Sequence, residues 1–228
     1  MLFRSLGGSI ISPGELDTGF LRDFYALVKE HLAESEERRF IIVTGGGAPA
    51  RSYQEAYRAV TEDPQPEAQD WIGIAATRLN GQLVKAIFGR LCTEEVATNP
   101  ETVSGFSGRI LVAAGWKPGF STDYDAVILA ERFGAEKILN LSNVAKVYTA
   151  DPKKDPEAKP LDTISWKDFR VLVGDSWVPG SNLPFDPVAA RRASELGLTV
   201  IMAGGRDIPN LRSLLKEKAF IGTSIGPE

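Results

Sequence analysis

Phe40-Ile41-Ile42-Val43-Thr44-Gly45-Gly46-Gly47-Ala48-Pro49-Ala50-Arg51 carries the reading of this chain. Phe40–Thr44 has the length of one strand, and its unbroken apolar run marks a strand buried inside a helix-covered sheet. Three glycines end it. Glycine lets the backbone approach another group closely, and the helix that starts near Ala48 turns unpaired amides toward any anion held there. Arg51, on the first turn of that helix, adds a fixed positive charge and a planar fork of donors. Strand, glycine loop, helix start and arginine together form a candidate phosphate cradle.

The same arrangement recurs on either side. Leu2–Leu6 reads as a strand, Gly7-Gly8-Ser9 as a glycine turn, and Ile10-Ile11 as a continuation of the strand. Asp17 or Thr18 caps a helix whose apolar face is Phe20, Leu21, Phe24, Leu27, Val28 and Leu32. Helical periodicity runs across Ala68–Phe88. Arg109–Ala113 is another short strand, followed by a loop with Gly115 and Gly119, a helix at Thr122–Phe133 and a strand at Lys137–Leu141. Asp151–Pro160 is a polar, proline-rich loop and a candidate seam between two lobes. Helices follow at Ser165–Val173, Asp186–Leu196 and Ile208–Lys216, with a Gly/Ser/Pro loop at Gly174–Pro184, a strand at Leu198–Met202 and a last strand near Phe220–Thr223. Alternating strands and helices predict a mostly parallel sheet covered by helices. In such a sheet ligands bind beyond the carboxyl ends of the strands, where all three glycine clusters stand.

Composition narrows the chemistry. The chain has 228 residues, 43% hydrophobic and 25% charged, with a net charge of −4, the profile of a soluble globular protein without the basic surplus of a nucleic-acid binder. No apolar run approaches the roughly 20 residues that span a bilayer, and the N-terminus lacks a secretory pattern, so a cytoplasmic location is expected. Cys92, the lone cysteine, excludes an intramolecular disulfide and reads as a small buried hydrophobe. His31, the lone histidine, reads as a solvated surface residue, and the Glu34–Arg39 charge run as a solvated helix end. One His and one Cys leave no plausible zinc site. The chain contains neither GxxxxGK[ST] nor GxGxxG, so it is neither a P-loop kinase nor an obvious dinucleotide binder.

At these same clusters the sequence resembles the amino-acid-kinase family, and within it the archaeal-type UMP kinases. The segment Leu141-Ser142-Asn143-Val144 through Val147-Tyr148-Thr149-Ala150-Asp151-Pro152-Lys153-Lys154 is similar to the family's TNVDGVYTADPKK nucleotide segment. Gly7-Gly8-Ser9, Val43–Arg51, Asp70–Ile74 with Ala76-Thr77-Arg78, Pro118–Asp123, Asp186-Pro187 with Ala189-Ala190, and Gly222–Ile225 match in type and order, so the resemblance covers nearly the whole chain. It implies a three-layer αβα sandwich around a mostly parallel sheet. One domain, 1–228, would hold the acceptor over lobe 1–135 and ATP over lobe 136–228. It implies transfer of the ATP γ-phosphoryl group to UMP, with Mg²⁺ carried by ATP and no protein metal site. The resemblance places Gly8 and Ser9 at the transferring phosphate, and Gly47 and Arg51 near the reacting phosphates. Gly46 and Asp70 would face UMP, Asp70 through the ribose hydroxyls. The loop Trp116, Lys117, Pro118, Gly119, Phe120, Ser121 and Thr122 would close on UMP, with Thr122 near the uracil. Ser142, Asn143, Tyr148 and Asp151 would surround the adenosine, and Asp123 matches an acidic position that orients the catalytic cations. A hexamer built from dimers is also implied.

Three departures stand out. Ser5, beside Arg4, occupies a position that is lysine in many members; Ala145-Lys146 replaces the usual Asp-Gly; and Asp175-Ser176-Trp177 has no close counterpart. Lys146 reads either as a substitute cation in the cleft or as a solvated loop residue. The competing readings are a kinase of the same fold with another small acceptor, and a non-catalytic nucleotide- or oxyanion-binding relative.

Overall fold

The computed structural model describes residues 2–152, 154–174 and 183–227. Its strands are β1 (Leu2–Leu6), β2 (Phe40–Thr44), β3 (Ile110–Ala113), β4 (Lys137–Ser142), β5 (Val147–Tyr148), β6 (Pro160–Leu161), β7 (Thr163–Ser165), β8 (Thr199–Gly204) and β9 (Thr223–Gly226). Seven of them form one sheet in the order β3-β2-β1-β4-β8-β9-β7, while β5 and β6 pair as a separate antiparallel ribbon. Every pairing in the large sheet is parallel except β8 with β9. Parallel neighbours need crossovers, and the helices supply them: α1 (Gly8–Ile11), α2 (Thr18–Ala33), α3 (Gly47–Val60), α4 (Pro66–Phe88), α5 (Thr122–Arg132), α6 (Trp166–Val173), α7 (Pro187–Glu195) and α8 (Ile208–Leu215).

The sheet is buried on both faces, and β2 shows it residue by residue. Phe40 and Ile42 enter one core with Ile10, Phe24 and Val28 of α1 and α2, Val84 of α4 and Leu211 of α8. Ile41 and Val43 enter the other with Val127 of α5, Phe169 of α6 and Ala190 of α7. Successive side chains of a strand point to opposite faces, so one apolar run serves both helical layers. The result is the three-layer αβα sandwich with a mostly parallel sheet. Each fully buried aliphatic or aromatic side chain contributes roughly 1.5–3 kcal/mol.

Caps fall where the sequence offers them. Asp17, Ser121, Ser165, Asp186 and Asp207 accept from the backbone N–H three residues on and start α2, α5, α6, α7 and α8.

Four expectations require correction. Ile10-Ile11 does not continue β1: Ile10 N–H bonds to Gly7 C=O at 2.8 Å and Ser12 N–H to Gly8 C=O at 2.8 Å, closing one helical turn. Both isoleucines are still 0% exposed, so burial made a β-branched pair look like strand. The last strand begins at Thr223 rather than near Phe220, because Asn210 clamps Ile221 through both its N–H and C=O at 2.7 Å and holds that segment out of the sheet. The short strands β5, β6 and β7 were not foreseen, since two or three residues carry no period. His31 is not solvated. It is 4% exposed, three and four residues beyond Val28 and Leu27 on the buried face of α2, edge-on to Phe40 at 5.3 Å, with Nδ1 3.1 Å from Arg38. Arg38 and Arg39 of the adjoining charge run are likewise half-buried and bond to His31 C=O and Phe106 C=O. Cys92 is buried as read, and burial pushes its thiol up to about 11. Asp175-Ser176-Trp177 lies outside the described residues.

Candidate active site

The chain runs from β1 to β2 and β3 on one side of the sheet, and β4 and β8 extend it on the other. Such a reversal opens a crevice at the carboxyl ends of the strands. The first two glycine clusters meet there. Gly7 N–H donates to Leu141 C=O of β4 at 3.0 Å, and Gly45 N–H to Leu6 C=O of β1 at 3.1 Å. A Cβ on Gly8 would lie 2.0 Å from Gly47 N and 2.6 Å from Gly46 N, so the two backbones touch where no side chain fits. Gly47 takes φ of +69°, and Ala48 N–H donates to Ser12 C=O at 2.9 Å, tying the start of α3 to the end of α1. The start of the fourteen-residue helix α3 thus lies at the crevice, able to favour an anion, with the single turn of α1 packed beside it. Arg51 lies one turn into α3 rather than on its first turn; it is exposed, and no described group pairs with it.

Helix α4 holds the floor. Asn80, 3% exposed, donates from Nδ2 to Gly45 C=O at 2.7 Å and to Gly46 C=O at 3.2 Å. Thr44 Oγ1, at the end of β2, donates to Thr77 C=O at 3.0 Å, and Thr77 Oγ1 accepts from Gly115 N–H at 2.8 Å. The loop after β3 is pinned by the same helix. Arg78 donates to Gly115 C=O at 3.2 Å and Trp116 C=O at 2.9 Å, and Asp70 Oδ2 accepts from Gly119 N–H at 2.8 Å. Residues 70, 77 and 78 are seven and eight apart and so share one helical face. Trp116, Phe120 and Tyr124 form a ladder of rings 5.3 and 4.6 Å apart, and the Lys117 ammonium lies 3.7 Å from the Trp116 ring centre.

Beneath the loop stands an acidic group. Asp125 is 1% exposed; its Oδ2 accepts from Trp116 N–H at 3.2 Å, and its Oδ1 has no hydrogen-bond partner among the described residues. Burial pushes this carboxyl up to about 8; Asp123 adds to the rise, while the Trp116 N–H and Arg78 oppose it. Asp123 Oδ2 accepts from Asp186 N–H at 3.3 Å, which links the starts of α5 and α7. Burial also raises the Asp186 carboxyl, against its hydrogen bonds from Ala189 and Ser121.

On the other side of β1, Ser142 ends β4 beside Gly7, with Asn143 next to it and Ser142 C=O accepting from Gly205 N–H at 2.8 Å. Tyr148 lies in β5, and Asp151 begins the turn to β6, where its C=O accepts from Asp155 N–H at 2.9 Å. Thr223 anchors this ribbon: its Oγ1 accepts from Val147 N–H at 2.9 Å and donates to Leu161 C=O. The Lys146 ammonium pairs with Asp162.

The amino acid kinase family model matches residues 5–204. The chain belongs to that family. Among curated relatives of this amino acid kinase, the uridylate kinase of Methanospirillum hungatei is 35% identical over 225 residues, covering 97% of this chain and 92% of the relative. That of Pyrococcus abyssi is 33% identical and covers 97% of each chain. The crystal structure of uridylate kinase from Archaeoglobus fulgidus superposes with a TM-score of 0.83 at 29% identity, over 99% of this chain and all of that one.

In this amino acid kinase, then, the glycine segments 7–9 and 45–47, the loop 116–122 and the end of β4 gather along one edge of the sheet. Sequence reasoning missed Asn80 and Asp125 and gave Arg78 no role. A signal existed for Asn80, a polar residue between Ala76 and Leu83-Val84 on an otherwise apolar stripe; Asp125, in the acidic first turn of its helix, gave none. Arg78 acts on backbone carbonyls 37 and 38 positions away, a pairing no spacing announces.

Proposed function

We propose that this protein transfers the γ-phosphoryl group of ATP to the 5′-phosphate of UMP, giving ADP and UDP. The observation that carries the reading is the meeting of Gly8 with Gly46 and Gly47 at the sheet's switch point, where α3 begins and carries an exposed Arg51. The likeness to uridylate kinases over 97% of the chain supports UMP as the acceptor. In this reading Gly8, Ser9, Gly47 and Arg51 hold the phosphates in line, and the chain's task is positioning and charge neutralisation. Gly46, Asp70 and the loop Trp116–Thr122 form the acceptor side within 1–135. Ser142, Asn143, Tyr148 and Asp151 form the nucleotide side within 136–228. Asp123 braces α5 against α7 beneath the acceptor loop.

Mg²⁺ would enter with ATP and would neutralise charge on its phosphates. Among the described residues no three His, Cys, Asp or Glu side chains converge on one point, and Mg²⁺ is commonly held largely by substrate phosphates and water. No helix among the described residues is long and apolar enough to cross a membrane. From the likeness to uridylate kinases we infer a cytoplasmic homo-oligomer.

A coupled ADP-release assay with Mg·ATP and UMP, CMP, dCMP, AMP and GMP tests the proposal. UMP is expected to be the best acceptor, and Asp70→Asn to raise its KM. Equal turnover of all five, or none with any, would sink the reading.

A further inference from the structure

We infer that Asn80 is a positioning residue for phosphoryl transfer: its buried amide aims the Gly46 and Gly47 N–H groups at the transferring phosphate. The inference rests on the phosphate-cradle reading and deepens it.

The geometry follows from peptide planarity. All described peptide bonds are trans, and a trans peptide points its C=O and the following N–H to opposite sides. Asn80 Nδ2 holds Gly45 C=O at 2.7 Å and Gly46 C=O at 3.2 Å on the α4 side. The N–H groups of Gly46 and Gly47 therefore face away from α4. Gly8 packs against the same two peptides, since a Cβ on it would lie 2.6 Å from Gly46 N and 2.0 Å from Gly47 N. No described backbone or side-chain group accepts from Gly46 N–H. A loop of three glycines has little conformational preference of its own, so an external clamp must choose the direction of its amides.

The clamp is itself held. Asparagine is short, and it reaches both carbonyls only because Gly81 lets α4 approach the sheet. A Cβ at Gly81 would meet Val96 Cγ1 at 3.0 Å and Thr44 Oγ1 at 3.2 Å. Thr44 in turn bonds to Thr77 C=O, one turn before Asn80. The amide that selects the peptide orientation thus sits on a helix locked to β2, the strand that delivers the glycines.

Two measurements on Asn80→Ala test the inference. In steady-state assays with Mg·ATP and UMP, kcat is expected to fall about 10²-fold, as for a preorganised donor misplaced by about 1 Å, while the KM for UMP moves less than about threefold. In amide NMR spectra, titration with inorganic phosphate is expected to shift Gly46 and Gly47 in the wild type and to leave them unmoved in the variant. Asn80→Asp keeps the shape but sets an acceptor against two carbonyls; it is expected to lose the same signals and serves if Asn80→Ala does not fold. A folded variant that keeps kcat within about threefold of wild type, or keeps the phosphate-induced shift at Gly46, overturns the inference. The amide measurement needs no turnover, so it decides on Asn80 even if UMP is the wrong acceptor.

Discussion

Gly8→Ala offers the sharpest test of how the crevice is built. The added methyl would sit 2.0 Å from Gly47 N, 2.5 Å from Gly45 C and 2.6 Å from Gly46 N. The shortest of these falls about 1.4 Å below the 3.4 Å at which ordinary contact begins. All three neighbours are backbone, so no rotamer change relieves the clash. The two glycine segments must separate by about an ångström, and misplacement on that scale costs roughly 10²-fold in rate. Overpacking of this kind destabilises by about 1–3 kcal/mol, small enough for the chain to remain folded. Gly14→Ala is the control, because nothing lies within 4 Å of its Cβ position. Coupled ADP release, with melting temperature measured alongside, should show kcat reduced at least about 10²-fold in Gly8→Ala and unchanged in Gly14→Ala. Folded Gly8→Ala with kcat within about threefold of wild type would refute the claim that close contact of the two glycine segments sets the phosphate geometry.

Three further outcomes follow from the structure. Asp125, pushed up to about 8 by burial, stays neutral in the folded chain while an unfolded aspartate ionises near 3.9. Its stabilising contribution is full below about pH 4 and is lost as pH rises to about 8, so Asp125→Asn should gain melting temperature over wild type progressively across that window; parallel pH curves would refute this. Arg51→Ala, at an exposed site without a described partner, should leave stability within about 0.5 kcal/mol of wild type while kcat/KM falls about 10²-fold, read by melting and steady-state kinetics. Thr223→Val strands Val147 N–H and Leu161 C=O; it should cost about 2 kcal/mol by urea titration and raise the KM for ATP, and an unaltered midpoint would show the anchor to be dispensable.

The sequence by itself determined the layered fold and pointed to the edge on which the candidate site lies. Apolar runs such as Phe40–Thr44 mark buried strands, helical stripes such as Phe20–Leu32 mark the layers, and glycines at strand ends mark where backbone must come close. These are local signals, set by periodicity and by the few residues that tolerate tight approach. Tertiary structure alone decided the rest. Ile10-Ile11 became a helical turn closed on the Gly7 and Gly8 carbonyls, and its burial there is what a strand would also have given. His31 was drawn inside by Phe40 and Arg38, which lie further along the chain. Asn80, Arg78 and Asp125 gained their roles from backbone groups 9 to 38 positions away, brought within hydrogen-bond reach by crossover helices. A hydrogen bond depends on distance and direction in space, and sequence patterns record only which faces are buried.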